Sequence, residues 1–300
     1  MRLALVLAAS LAIACSADDG AGDPDSATTN DSSSNVDSGG GGADATANDG
    51  ALSNDAWSKL DAAPTPSSGC GVAATPGTFQ RSVMVQGKSR TFTVVIPAKY
   101  DPNVPHSVVM RFHGWGATGA AAASAVGLKV PEIVVGPDTD PPNGNTVSWN
   151  TTTDLLLVDA IMDTLTKELC IDKTRNFATG YSNGGFMADA VGCHRSATFR
   201  GIAIQESGSS GGFGCGQVGA FILHNTDDTT VPISYGTGLR DSWVKINACK
   251  STTTPVAPSP CVSYDGCSAG HPVVWCNPPT GGHKPNYTVS LGIGPFFDSL

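Results

Sequence analysis

Four short segments of the chain carry residue types suited to acyl-transfer chemistry. Gly180-Tyr181-Ser182-Asn183-Gly184 sets a serine between two glycines at a predicted strand-to-helix turn. A turn that tight holds the hydroxyl exposed above a sheet edge, and the helix after it favours negative charge near its start. Ser182 is the candidate nucleophile. Arg111-Phe112-His113-Gly114-Trp115-Gly116 closes an apolar run. A loop of this kind can aim a backbone N–H at a developing oxyanion, and the donors are assigned to Trp115 and to Asn183, the residue after the nucleophile. His113 is read as shaping that loop. His224-Asn225-Thr226-Asp227-Asp228 comes after another apolar run and offers a carboxylate able to orient an imidazole. Asp228 is the preferred acid, with Asp227 competing. Gly281-Gly282-His283 carries an imidazole on a glycine-rich loop ahead of the last predicted helix. His283 is the candidate base; His271 and His194 are its rivals, read as structural or exposed.

The elements that must position these groups alternate along the chain. Residues 79–86 and 90–96 read as strands joined at Gln86-Gly87-Lys88, a hairpin signal. Further strands are predicted at 107–112, 132–135, 176–179, 201–205, 220–223 and 272–275. Helices are predicted at 118–127, 153–168, 183–192, 238–247 and 286–299, the second of them from Leu155, Val158, Ile161, Met162 and Leu165 at helical spacing. A hairpin followed by alternating β and α units predicts a mostly parallel central sheet flanked by helices on both faces. Ser182, Asp228 and His283 then succeed one another in the chain order of the α/β-hydrolases.

Composition divides the 300 residues unevenly. Residues 1–15 join the cationic start Met1-Arg2 to an apolar run that ends in Leu11-Ala12-Ile13-Ala14-Cys15. Such a segment resembles a bacterial lipoprotein signal, with Cys15 as the lipidation site and a membrane as partner; ordinary secretion is the alternative. Residues 16–69 hold ten Asp, no Glu and one cation, Lys59, a local charge of −9. With so few apolar side chains, this segment is expected to be a disordered acidic tether. Residues 70–300 form the expected catalytic domain and hold 15 Lys and Arg against 16 Asp and Glu. That balance gives no basic face for nucleic acid. Beyond Cys15, the cysteines are Cys70, Cys170, Cys193, Cys215, Cys249, Cys261, Cys267 and Cys276, an even number. In an exported domain they predict up to four disulfides stapling the loops, with the pairing left open. No C-x-x-C pair and no paired histidines with ligand spacing occur, so no zinc site is expected.

Together the segments Ala178-Thr179-Gly180-Tyr181-Ser182-Asn183-Gly184-Gly185-Phe186-Met187, His224…Asp228…Val231-Pro232 and Val273-Val274-Trp275-Cys276…Gly281-Gly282-His283 resemble the feruloyl esterase / polyhydroxybutyrate depolymerase family of secreted α/β-hydrolases. Cys170-Ile171-Asp172, Cys193 and the Cys261…Cys267…Cys276 spacing are similar to its feruloyl esterase branch. The resemblance implies ester hydrolysis through an acyl-enzyme, with Ser182 as nucleophile, Asp228 as acid, His283 as base, and no metal or organic cofactor. It further implies a polymer-linked ester as substrate, foremost feruloyl-type esters of plant cell-wall polysaccharide. Polyhydroxybutyrate depolymerase and acetyl-xylan esterase are the alternatives; from another class, a surface-binding hydrolase-like protein without catalysis. Two departures, Asn225 where glycine is usual and Lys284-Pro285 after the histidine, are expected at the pocket rim.

Overall fold

The computed structural model describes residues 63–300 apart from 125, 130, 141–147, 212 and 213. The expected signal segment, Cys15 and the tether up to residue 62 lie outside the described residues. The tether boundary expected at residue 69 is corrected, because residues 66–69 already pack on the folded part. Pro66 bridges Asp172, the Ser67 N–H donates to the Ile171 carbonyl at 2.8 Å, and Ser67 and Gly69 are buried. Pairing with the start of the strand Ile171–Tyr181, which composition does not reveal, ties this stretch down.

The chain opens with β1 (Gly77–Val85) and β2 (Lys88–Ile96), an antiparallel hairpin turned by Gln86 and Gly87 at positive φ, as a two-residue turn of this twist requires. Then come β3 (His106–Phe112), α1 (Gly119–Ala122), β4 (Ile133–Pro137), α2 (Leu155–Glu168), β5 (Ile171–Tyr181) and α3 (Asn183–His194). After them stand β6 (Gly201–Gln205), β7 (Gly219–Leu223), α4 (Ile233–Ile246), β8 (Thr253–Pro255), β9 (Val262–Tyr264), β10 (Val273–Cys276), α5 (Tyr287–Ser290) and α6 (Ile293–Asp298). Among the described residues the strands form one sheet in the order β1-β2-β4-β3-β5-β6-β7-β10-β9-β8. The central run from β4 to β10 is parallel, and the flanking pairs are antiparallel.

Alternation along each strand splits the core into two layers. Val108, Met110 and Phe112 of β3 pack on one face with Leu157, Ile161 and Leu165 of α2 and Trp243 of α4. Val109, Phe177, Phe221 and Val274 face the other way, onto Phe296 and Phe297 of α6, where Phe177 and Phe297 stack at 4.4 Å. A sheet covered on both sides is what the alternating elements predict.

Several boundaries differ from the expected ones. The alanine-rich helix is only α1, because Gly127 sits at φ +82° and the Glu132 carboxylate takes the Val126 and Gly127 N–H groups. The last helix is two short ones; Pro295 has no N–H to continue a helix through Leu291. β8 and β9 carry no alternating pattern and were not expected. The eight cysteines pair as Cys70–Cys170, Cys193–Cys215, Cys249–Cys267 and Cys261–Cys276. No helix among the described residues is long and apolar enough to cross a membrane.

Candidate active site

Ser182 stands between β5 and α3 with φ 53° and ψ −123°. A non-glycine residue in that region costs on the order of 1–3 kcal/mol and persists only when its surroundings fix it. Here the fixing is steric. A Cβ on Gly180 would fall inside the Gly184 carbonyl, and one on Gly184 inside the Phe112 carbonyl at the end of β3. The two glycines thus allow strand, turn and helix to close on each other, and the Ser182 hydroxyl makes no cap to its own helix. Instead it lies 2.8 Å from His283 Nε2, and His283 Nδ1 lies 2.7 Å from Asp228 Oδ2.

Asp228 is buried, and burial pushes its carboxyl up. Hydrogen bonds from His283 and from the Val231 and Thr230 N–H groups outweigh that effect and hold it below the usual carboxylate range. An ionised Asp228 can only accept, so His283 Nδ1 carries the proton and donates it to Oδ2. The Nε2 lone pair is then free to receive the Ser182 proton. The neighbouring Asp227 does a different job: its Oδ1 accepts the Gly282 N–H at 2.7 Å.

The loop that carries His283 is held from three sides. Besides Asp227, the Tyr181 hydroxyl donates to the His283 carbonyl at 2.6 Å, and Asn225 Nδ2 donates to the Gly282 and Lys284 carbonyls, each at 2.9 Å. The expectation that Asn225 marks the pocket rim is therefore corrected. Its side chain is buried under the histidine loop, where a glycine could make neither bond.

On the other side of Ser182, the backbone of Phe112 and His113 abuts Gly184, which brings the Trp115 loop beside the start of α3. His113 is buried and its Nδ1 donates to the Gly114 carbonyl at 2.8 Å, in keeping with a loop-shaping part. Trp149 joins the two segments. Its indole N–H donates to the His113 carbonyl and its backbone N–H to Asn183 Oδ1, both at 2.9 Å. The rival histidines stay away from this cluster: His194 ends α3, and His271 sits in the turn before β10.

No protein-family model matches the chain. Feruloyl esterase D of Neurospora crassa is 32% identical over 237 residues, which cover 71% of this chain and 81% of that protein. The chain belongs to the feruloyl esterase family. It is accordingly a carboxylic ester hydrolase. Among solved structures, a feruloyl esterase module from Clostridium thermocellum complexed with sinapinate aligns with a TM-score of 0.55 at 12% identity, over 80% of this chain and 95% of that one. Acetyl xylan esterase from Aspergillus awamori gives 0.56 at 12% identity, over 73% and 98%. At such identities the likeness speaks for the α/β-hydrolase fold alone. Within this member of the feruloyl esterase family, three features near Ser182, His283 and Asp228 escaped the sequence reading: the bonding of Trp149, the bonding of Asn225, and Glu206. Only Glu206 left a trace there, as an acid placed directly after the apolar strand 201–205.

Proposed function

We propose that the protein is an exported serine esterase that cleaves feruloyl-type esters of plant cell-wall polysaccharide by way of an acyl-enzyme. The hydrogen-bonded series Ser182–His283–Asp228 carries this reading. His283 Nε2 takes the Ser182 proton as Oγ attacks the ester carbonyl, and Asp228 stabilises the resulting imidazolium. The N–H groups of Asn183 and Trp115 hold the oxyanion, helped by the positive end of α3. His283 returns its proton to the leaving alcohol. Water then enters by the same base catalysis and releases the acid.

Four disulfides support an oxidising compartment outside the cytoplasm, and the leader ending in Cys15 supports a lipid anchor there. The choice of acyl group rests on the family. The decisive measurement compares turnover of methyl ferulate, hydroxybutyrate oligomers and acetylated xylan. Methyl ferulate is expected to be hydrolysed fastest; a preference for the oligomers would replace this reading with a polyester depolymerase. A protein that only binds surfaces would turn over none of them.

Trp115 is 63% exposed, whereas Trp149, Trp243 and Trp275 are buried. An exposed indole beside the nucleophile suits a sugar or phenolic ring of the polymer, an aromatic contact worth roughly 0.5–1.5 kcal/mol. Trp115→Ala is expected to raise KM on feruloylated oligosaccharide by about two- to tenfold, with a smaller effect on kcat because alanine keeps the backbone N–H. An unchanged KM would remove Trp115 from substrate binding.

A further inference from the structure

One buried acid has no part in the mechanism above. Glu206 comes directly after β6, at φ 48°, with 0% of its surface exposed. Its Oε2 accepts the Asn225 N–H at 2.9 Å, while Oε1 is buried with no hydrogen-bond donor. The ionisable groups facing it are Asp228, Asp227, His224 and Tyr181. His224 Nε2 stands 3.8 Å from Glu206 and 3.5 Å from Asp228 Oδ2, but it donates its proton to the Val231 carbonyl at 2.8 Å. Burial also pulls the His224 pKa down, so this imidazole is neutral and leaves the acids without a cation. Polar atoms of Glu206, His224 and Asp228 lie within 4.8 Å of one another.

Two carboxyl groups in one desolvated pocket do not both ionise; one keeps its proton. Asp228 receives donors from His283, Thr230 and Val231, whereas Glu206 receives one from Asn225. The anion is therefore Asp228 and the acid is Glu206.

We propose that Glu206 is a positioning residue: in its neutral form it donates its O–H to the Asp228 carboxylate and so fixes the oxygen that orients His283. This deepens the Ser182–His283–Asp228 reading and rests on it. Burial first, then the negative charge of Asp228 and Asp227, push the Glu206 carboxyl up to about 8, against the bond from Asn225. On the alkaline side of that value the pocket holds two anions and Asp228 loses the Glu206 donor.

The test compares the full chain with Glu206→Gln, which keeps a donor but cannot ionise, and with Glu206→Leu, which has no donor. Infrared difference spectra of the unmodified chain should show a protonated carboxyl at neutral pH that disappears through about pH 8 and is missing in Glu206→Gln. Turnover by Glu206→Gln should stay within about threefold of the parent and persist at alkaline pH where the parent declines. Glu206→Leu should lose roughly tenfold or more in kcat with little change in KM. Between about pH 4.5 and pH 8 the folded parent holds one more proton than the unfolded chain, so its stability falls as pH rises. Glu206→Gln is free of that loss, and its melting temperature should pull ahead of the parent's across the same interval. Absence of the carboxyl band, or a Glu206→Gln variant as impaired as Glu206→Leu with the parent's pH profile, overturns the proposal. Spectra and melting need no ester, so they decide on Glu206 even if Ser182→Ala kept turnover and the triad reading fell.

Discussion

Ser182→Ala lowers ester turnover by roughly 10⁴- to 10⁶-fold, with KM changed far less. The size of the loss reflects the part each group plays. Without Oγ there is no covalent intermediate, and His283 has nothing to deprotonate; only the modest rate that substrate binding and oxyanion donors give to water attack survives. The fold should not suffer, because alanine at φ 53° carries the same backbone strain as serine and leaves the Gly180 and Gly184 contacts in place. Stopped-flow hydrolysis of methyl ferulate and covalent labelling by a fluorophosphonate read the effect, with melting temperature as the control. A variant that still labels, or turns over within about tenfold of the parent, would show that the nucleophile lies elsewhere.

Removing the Cys70–Cys170 bridge by paired serine substitutions destabilises the domain by about 2–5 kcal/mol. This bridge spans 100 residues, the longest separation of the four; the others span 22, 18 and 15. Closing the longer loop removes more freedom from the unfolded chain, so its loss should exceed that of Cys249–Cys267. The bridge also holds the 65–70 stretch against the start of β5, beside the Ser67 bond to Ile171. Denaturant midpoints of the two double variants check the ranking. Equal losses would mean that native contacts, not chain closure, set the value.

That Ser182, Asp228 and His283 would come together was an expectation the sequence could carry because their neighbours are chemically constrained. Glycine must stand at 180 and 184 for the turn to close, and strand ends announce themselves by apolar runs. The choice between Asp227 and Asp228 needed geometry, since either carboxylate can come after a strand; the histidine ring meets one and the Gly282 N–H meets the other. The bonding of Trp149 and Asn225 was beyond reach for another reason. Their bonds run to carbonyl and amide groups of distant loops, and a backbone acceptor leaves no mark on residue type. The core was legible from the apolar runs of the parallel strands, which are buried on both faces. The short antiparallel pair β8 and β9 was not, because a half-exposed stretch closed by disulfides has no need of an apolar face.

The pairing of Pro66 with Asp172 puts the first described residues far from Ser182. Asp172 is the second residue of β5, and Ser182 comes straight after the strand's far end. An eleven-residue strand is roughly 33 Å long. Leu300 lies beside the starts of β6 and β7, so both ends of the described chain sit at the rear. A partner joined directly at residue 63 would therefore be held at the end of the sheet away from Ser182, leaving the Ser182 end uncovered.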